Sequence, residues 1–336
     1  MIFFTYLGNH TKNPKLSEFY LTNFKPKTPL LGVHSYSALV NKSSFKMIVR
    51  KYHINTKNQL GYYLAGLIEG DGSIIVRQGK REAIAPIIVF TFHKNEMPLY
   101  EKLKEIINSG YILVEKSGVG RYCITNPDTI IQIINLINGK FRTPKYHALY
   151  KAIDNVNKWR NANISKLPLD TSSLDTNAWL AGFIDSDGHF SIKLTGCYGS
   201  DNSESRGRVQ CVFSINQSEL NRVSGESNIT FMKNLAEFFQ VNLNHKVENS
   251  PLFKKPAKKV VLYAQSDRRH YIITSYLTKY PLMSSKYLNY LSFFKGLNYL
   301  GKRLTSEEIL EVRTIKQSMN NSRTEYNWDH LNNFYN

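Results

Sequence analysis

Hydrophobic residues recur along this chain at two spacings, and the two spacings follow one another in a fixed order. The runs SIIVRQ and IIVFTFHK read as extended segments, EMPLYEKLKEIIN has the three-to-four-residue recurrence of an amphipathic helix, and GYILVEK and GRYCITN read as a second strand pair. Further on, HFSIKLT, VQCVFSINQ, the helical NITFMKNLAEFF, NLNHKV and VVLYAQS repeat that order. Alternation is cleanest in the segment with Phe190, Ile192 and Leu194 on one side and His189, Ser191, Lys193 and Thr195 on the other. The matching early segment sets Ile74 and Val76 against Ser73, Arg77 and Arg81, with Ile75 interrupting the polar set. In the next strands Cys211, Phe213 and Ile215 oppose Gln210, Ser214 and Asn216, while Phe90 and Phe92 oppose Thr91 and His93. Each repeat therefore predicts helix, two strands, helix, two strands and closing helices.

Ahead of each set stands one helical pattern, YLAGLIEGDGSI at Tyr63 to Ile74 and WLAGFIDSDGHF at Trp179 to Phe190, with Asp71 and Asp187 116 residues apart. The period is too long for a solenoid, so the chain reads as two copies of one compact unit. The boundaries expected are an N-terminal extension over 1–58 that matches neither copy, a first unit over 59–160, a polar linker over 161–175, a second unit over 176–300 and a helical C-terminal tail over 301–336. The second motif helix should begin near Leu174, with Asp175 or Thr176 as N-cap.

Charge narrows the partners. The 336 residues carry 44 Lys and Arg against 26 Asp and Glu, a formal net charge of +18, which attracts polyanions and makes nucleic acid the leading partner. No apolar stretch reaches the roughly 18 residues a membrane-spanning helix needs, so no membrane is expected. Cys123, Cys197 and Cys211 lie far apart without CxxC spacing, and the scattered histidines include no HExxH. Heavy use of Ile, Asn, Lys, Tyr and Phe, all with A/T-rich codons, fits an organelle genome.

Taken alone, either motif is a buried amphipathic helix closed by a glycine cap. Its doubling adds two features. Gly66 and Gly70, like Gly182 and Ser186, place small side chains four residues apart, so the two helices can pack closely on each other about a pseudo-two-fold axis. Asp71 and Asp187 then fall at negative helix ends, where carboxylates are unfavourable and something cationic should compensate. A hard divalent ion held by the two aspartates and the carbonyls of Gly70 and Ser186 would serve. Glu69 and Asp185 lie one position off that face and read as structural.

Both motifs, LAGLIEGDG and LAGFIDSDG, resemble the LAGLIDADG motif of homing endonucleases, a likeness that extends over roughly Gln59 to Leu300. The resemblance implies an α+β fold, a monomeric pseudo-dimer of two αββαββα units whose saddle-shaped antiparallel sheets sit on DNA. It implies metal binding by Asp71 and Asp187, with Mg2+ as cofactor and Mn2+ as substitute, and hydrolysis of both strands leaving short 3′ overhangs. Lys145 and Lys286 resemble the family's basic residue near the scissile phosphate. Gln217 resembles the polar residue that holds metal-bound water, and Lys94 is its expected counterpart. The polar sheet faces, Ser73, Arg77, Arg81, Thr91, His93, His189, Ser191, Lys193, Thr195, Gln210, Ser214 and Asn216 together with Ile75, are the expected DNA contacts. Strands of eight residues would span about eight base pairs each, giving a target of roughly 16 to 20 base pairs. An RNA maturase assisting splicing of its own intron is the alternative function, with intron RNA as partner. The mitochondrial matrix is the expected location, a chloroplast the alternative.

Overall fold

The computed structural model describes residues 56–196, 207–221, 223–248 and 256–335. Most of the expected N-terminal extension, residues 1–55, and Cys197 lie outside the described residues.

The first repeat runs α1 (Thr56–Gly70), β1 (Gly72–Ile75), β2 (Ile87–His93), α2 (Met97–Ile107), β3 (Tyr111–Val114), β4 (Val119–Ile124), α3 (Pro127–Ile137) and α4 (Tyr146–Arg160). The second runs α5 (Trp179–Asp187), β5 (Gly188–Thr195), β6 (Arg208–Ser218), α6 (Ile229–Phe239), β7 (Leu243–Glu248), β8 (Ala257–Ala264), α7 (Asp267–Lys279) and α8 (Lys286–Gly296), and α9 (Ser306–Gln317) follows. Each repeat forms a four-stranded antiparallel sheet, in the order β1-β2-β4-β3 and β5-β6-β8-β7. This is the doubled α+β architecture that the hydrophobic pattern predicts.

Local chemistry explains the element ends. Asn126 caps α3 by accepting a hydrogen bond from Thr129 N at 3.0 Å, with Pro127 at the first helical position. Asn108 and Gln240 close α2 and α6 in the left-handed region, at φ 52° and 56°. Thr305 and Glu308 form a capping box on α9.

The two motif helices α1 and α5 form the seam of the molecule. A methyl group on Gly66 would overlap the Trp179 carbonyl, one on Gly182 the Tyr63 carbonyl, and one on Gly70 the Ser186 hydroxyl. At Gly66 and Gly182 glycine is required because backbone meets backbone, whereas Gly70 faces the Ser186 side chain. The start of α5 departs from expectation. It begins at Trp179, and neither Asp175 nor Thr176 caps it. Two of its free amides are satisfied across the fold, Ala178 N donating to Gln59 Oε1 at 2.9 Å and Ala181 N to Tyr276 Oη at 2.9 Å, while Trp179 N donates to the neighbouring Asn177 Oδ1 at 3.0 Å. A cap supplied from another element leaves no local sequence signal.

Both the linker and the C-terminal segment are packed against the fold. The 161–175 segment is strapped down: Arg142 pairs with Asp170 at 2.5 Å, Asn138 Nδ2 donates to Ser165 O at 2.8 Å, and Asp170 N donates to Phe141 O at 2.9 Å. The segment after residue 301 carries the helix α9 and packs on the fold as well: Phe334 and Tyr335 set their rings on Tyr63 at 5.5 and 5.1 Å, and Asn320 Nδ2 donates to Phe190 O at 3.0 Å. No helix of the described residues is long and apolar enough to cross a membrane.

Candidate active site

Asp71 directly follows α1 and Asp187 ends α5, so the close helix seam brings one acid from each repeat to the same end of the molecule. Each helix end is gripped by a lysine of its own repeat. Lys145, at the N-cap of α4, donates Nζ to Ile68 O at 3.0 Å and to Gly70 O and Gly72 O, each at 2.9 Å. Lys286, the first residue of α8, donates to Ile184 O at 3.4 Å and to Ser186 O. Each ammonium satisfies carbonyls that a helix terminus leaves unpaired and stands at its negative end. Part of the cationic compensation expected at the two acids thus comes from inside the chain.

The acids are electrostatically coupled. Asp71 keeps an accessible edge, but surrounding protein and the like charge of Asp187 push its carboxyl up to about 7, against the pull of Lys286 and Lys145. Burial also raises Asp187, while Lys286, Lys145 and a hydrogen bond from the Gln217 side chain lower it. Burial lowers the Lys145 ammonium, and both aspartates draw it back up.

The register corrects one pairing. Gly72 faces Phe90 as Gly188 faces Ile215, so two residues further along, Phe92 is the counterpart of Gln217. Lys94 lies beyond β2 in a short 3-10 turn, exposed, with its side chain beside Gly118. Matching by strand ends misplaces it, because Gln217 lies inside β6, one residue before its end at Ser218, whereas Lys94 follows the end of β2 at His93. Phe92 is buried, stacks on Tyr100 at 4.0 Å, and lines with Asp71 a cavity of about 320 Å3.

Glu69 and Asp185 are structural, and each bridges the repeats. Glu69 accepts from Arg142 N, from Thr143 N and Oγ1, and at 2.6 Å from the indole of Trp179. Asp185 accepts from Met283 N, from Ser284 N and Oγ, and at 2.8 Å from Tyr63 Oη. Each acid holds the loop that delivers its lysine and receives one ring donor from the opposite motif helix. Burial raises Glu69 to about 7 despite these bonds. Sequence reasoning missed Glu96, which accepts from Ser285 N at 2.9 Å and from Ser285 Oγ at the start of α8 and lines the Asp71 cavity beside Lys286. Only its position three residues after His93 was legible, which carries no signal.

Among the described residues no group of three or more His, Cys, Asp or Glu is arranged to hold a metal. Two hard carboxylates, the Gln217 amide, and carbonyls of Gly70 and Ser186 that each keep a second lone pair fit Mg2+, which keeps waters and uses one or two carboxylates plus phosphate.

Outward sheet positions fall largely as the alternation predicts. Ser73, Ile75, Thr91, His93, His189, Lys193, Thr195, Gln210 and Asn216 are exposed, and Ser191 and Ser214 half-buried, opposite the buried Phe90, Phe92, Phe190, Ile192, Phe213 and Ile215. Arg77 and Arg81 do not share that face, because β1 ends at Ile75: Arg77 follows in irregular backbone and Arg81 closes a 3-10 turn.

The sequence profile of the LAGLIDADG endonuclease family matches residues 64–156 and 180–297. The chain is 30% identical over 327 residues to the intron-encoded DNA endonuclease aI3 of Saccharomyces cerevisiae, covering 88% of this chain and 78% of that one. It is 27% identical over 274 residues to a cox1 intron-2 protein of Schizosaccharomyces pombe, covering 78% and 73%. The intron-encoded RNA maturase bI4 of Saccharomyces cerevisiae is more distant, at 23% identity over 269 residues, 77% of this chain and 39% of that one. Among solved structures, the LAGLIDADG homing endonuclease I-GzeII in complex with its DNA target has a TM-score of 0.57 at 16% identity, covering 79% of this chain and 99% of that one. Two matched motif helices, two matched sheets and a profile that spans both repeats make this chain a member of the LAGLIDADG endonuclease family.

Proposed function

We propose that the chain is a site-specific endonuclease that hydrolyses both strands of double-stranded DNA. The observation that carries this reading is the convergence of Asp71 and Asp187, one from each repeat, with one lysine per helix end beside them. Asp71 and Asp187 hold the cofactor, with the Gly70 and Ser186 carbonyls behind them, and Gln217 orients water beside Asp187. Mg2+ held there, or Mn2+ in its place, would supply charge relief at the phosphate and a lowered pKa for water. Lys145 and Lys286 fix the two helix ends and add positive charge where the phosphate gathers negative charge. The outward residues of both sheets lie in the major groove, as a two-stranded ribbon does.

One chain supplies both acids, so the enzyme acts as a monomer, with 59–160 and 176–300 as the two DNA-binding units and a target of roughly 16 to 20 base pairs. The relatives' intron origin and the A/T-rich codon bias support a mitochondrial location, and the matrix, beside the DNA it would cut, is the compartment proposed. Aid to splicing through intron RNA is a second activity for the same basic chain, favoured by its likeness to a maturase.

The test incubates the purified protein with a plasmid carrying the intronless host gene, with Mg2+ or with EDTA. Metal-dependent linearisation is expected; intact plasmid in both would sink the nuclease reading. A precursor-RNA splicing assay decides the second activity.

A further inference from the structure

The outward faces of the two sheets differ in chemistry. On the first sheet Ile75, Tyr111 and Leu113 are 46%, 45% and 53% exposed, and cross-strand pairing puts Tyr111, Cys123, Val89 and Ser73 in one row. The neighbouring row is Leu113, Arg121 and Thr91, and Arg121 is neutralised by Glu115 at 2.6 Å. On the second sheet the outward pairs of β5 and β6 are His189 with Ser214, Ser191 with Val212, Lys193 with Gln210, and Thr195 with Arg208, and Val212 is buried. None of the described large exposed hydrophobics lies on that face of the second sheet.

Resting on the endonuclease reading, we propose that the first sheet recognises its half of the target through thymine methyl groups, and the second sheet recognises the other half through hydrogen bonds to base edges. The thymine C5-methyl is the one apolar group a base pair presents in the major groove, whereas Arg, Lys and Gln match the acceptors and donors of purine edges. Exposed apolar side chains clustered on one face mark a contact surface. This face runs directly into the reaction centre, since Thr91, His93 and Val119 line the cavity that holds Asp71. That continuity selects DNA over another protein as its occupant.

The test uses full-length protein with Asp71→Asn and Asp187→Asn, to bind without cutting. It is selected against duplexes of about 24 random base pairs, long enough for both halves, made once with thymine and once with deoxyuridine throughout. Deoxyuridine removes the methyl and keeps every hydrogen bond. The expected result is that one half of the selected site loses its base preference in the uracil library while the other half keeps it. Binding of the thymine site should weaken by about fourfold per methyl removed in that half. Leu113→Thr and Tyr111→Thr, both conservative for an exposed strand, should relax preference in the same half. Equal change in both halves, no change in either, or a Leu113→Thr effect in the opposite half overturns the inference. So does an unchanged site together with a protein dimer that Leu113→Thr disrupts. Failure to select any site from either library counts against the endonuclease reading itself.

Discussion

Phe92 holds in the first sheet the position that Gln217 holds in the second, so the two reaction centres of one chain are chemically unequal. Asp187 has an amide at hand, whereas Asp71 has an aromatic ring stacked on Tyr100. The strand whose cleavage depends on Asp187 should be cut first. Gln217→Leu should slow that strand by about 10- to 100-fold and bring the two rates together, the usual cost of removing a residue that orients a metal's waters. Strand-specific labelling of a target duplex, with gels read over time, checks this; unchanged relative rates would remove Gln217 from the mechanism.

Asp71→Asn and Asp187→Asn should each keep DNA affinity and the folded state while double-strand cleavage falls at least about 100-fold, because each removes one hard ligand and one negative charge from the centre. Nicked plasmid is the expected product of at least one variant. Linear product at the wild-type rate from either variant would show that its aspartate binds no essential metal.

Metal affinity should depend on pH near neutrality. The Asp71 carboxyl, raised to about 7 by burial and by Asp187, binds a proton that a metal must displace. Affinity therefore falls as pH drops below about 7, by up to roughly tenfold per unit for one displaced proton. Lys286→Met removes a charge that lowers both aspartates and should move this dependence to higher pH. Calorimetric Ca2+ titrations in buffers of different ionisation enthalpy report the protons released.

The buried Glu69 gives a separate signal in stability. Its folded value of about 7 lies above its ordinary 4.5, so the folded state takes up a proton more readily than the unfolded one. Its contribution is fully present below about pH 4.5 and is lost as pH rises through 7. Glu69→Gln should flatten that part of the stability profile, measured by urea unfolding from pH 5 to 8. It should also lower stability by about 1–3 kcal/mol, since an amide cannot accept from Arg142, Thr143 and Trp179 at once.

At the seam, Gly66→Ala should destabilise the protein by at least about 1–3 kcal/mol through overpacking. The added methyl meets the Trp179 carbonyl, which α5 cannot easily move. An unchanged urea midpoint would contradict the packing described.

What the sequence disclosed followed from periodicity and repetition. Alternation placed Phe190 and Ile192 inward and Lys193 outward, and the doubled small residues announced the contact at Gly66 and Gly182. Hidden features were those that depend on distant partners. Gln59 and Tyr276 cap α5 from other elements, Glu96 reaches α8 across the molecule, and the register of β6 on β5 decides that Gln217 answers to Phe92. Lys145 and Lys286 were found by resemblance, but their carbonyl partners were not, because a lysine's reach is set by tertiary packing.

The close packing at Gly66 and Gly182 also has a bearing on descent. A methyl on either residue would overlap a carbonyl of the other motif helix, so the joint between the duplicated halves resists substitution. Leu113 and Lys193 are exposed strand residues outside that joint and carry no such restraint. Mutation can therefore rewrite the address a lineage recognises, one half at a time, while the machinery that severs the backbone is inherited unchanged.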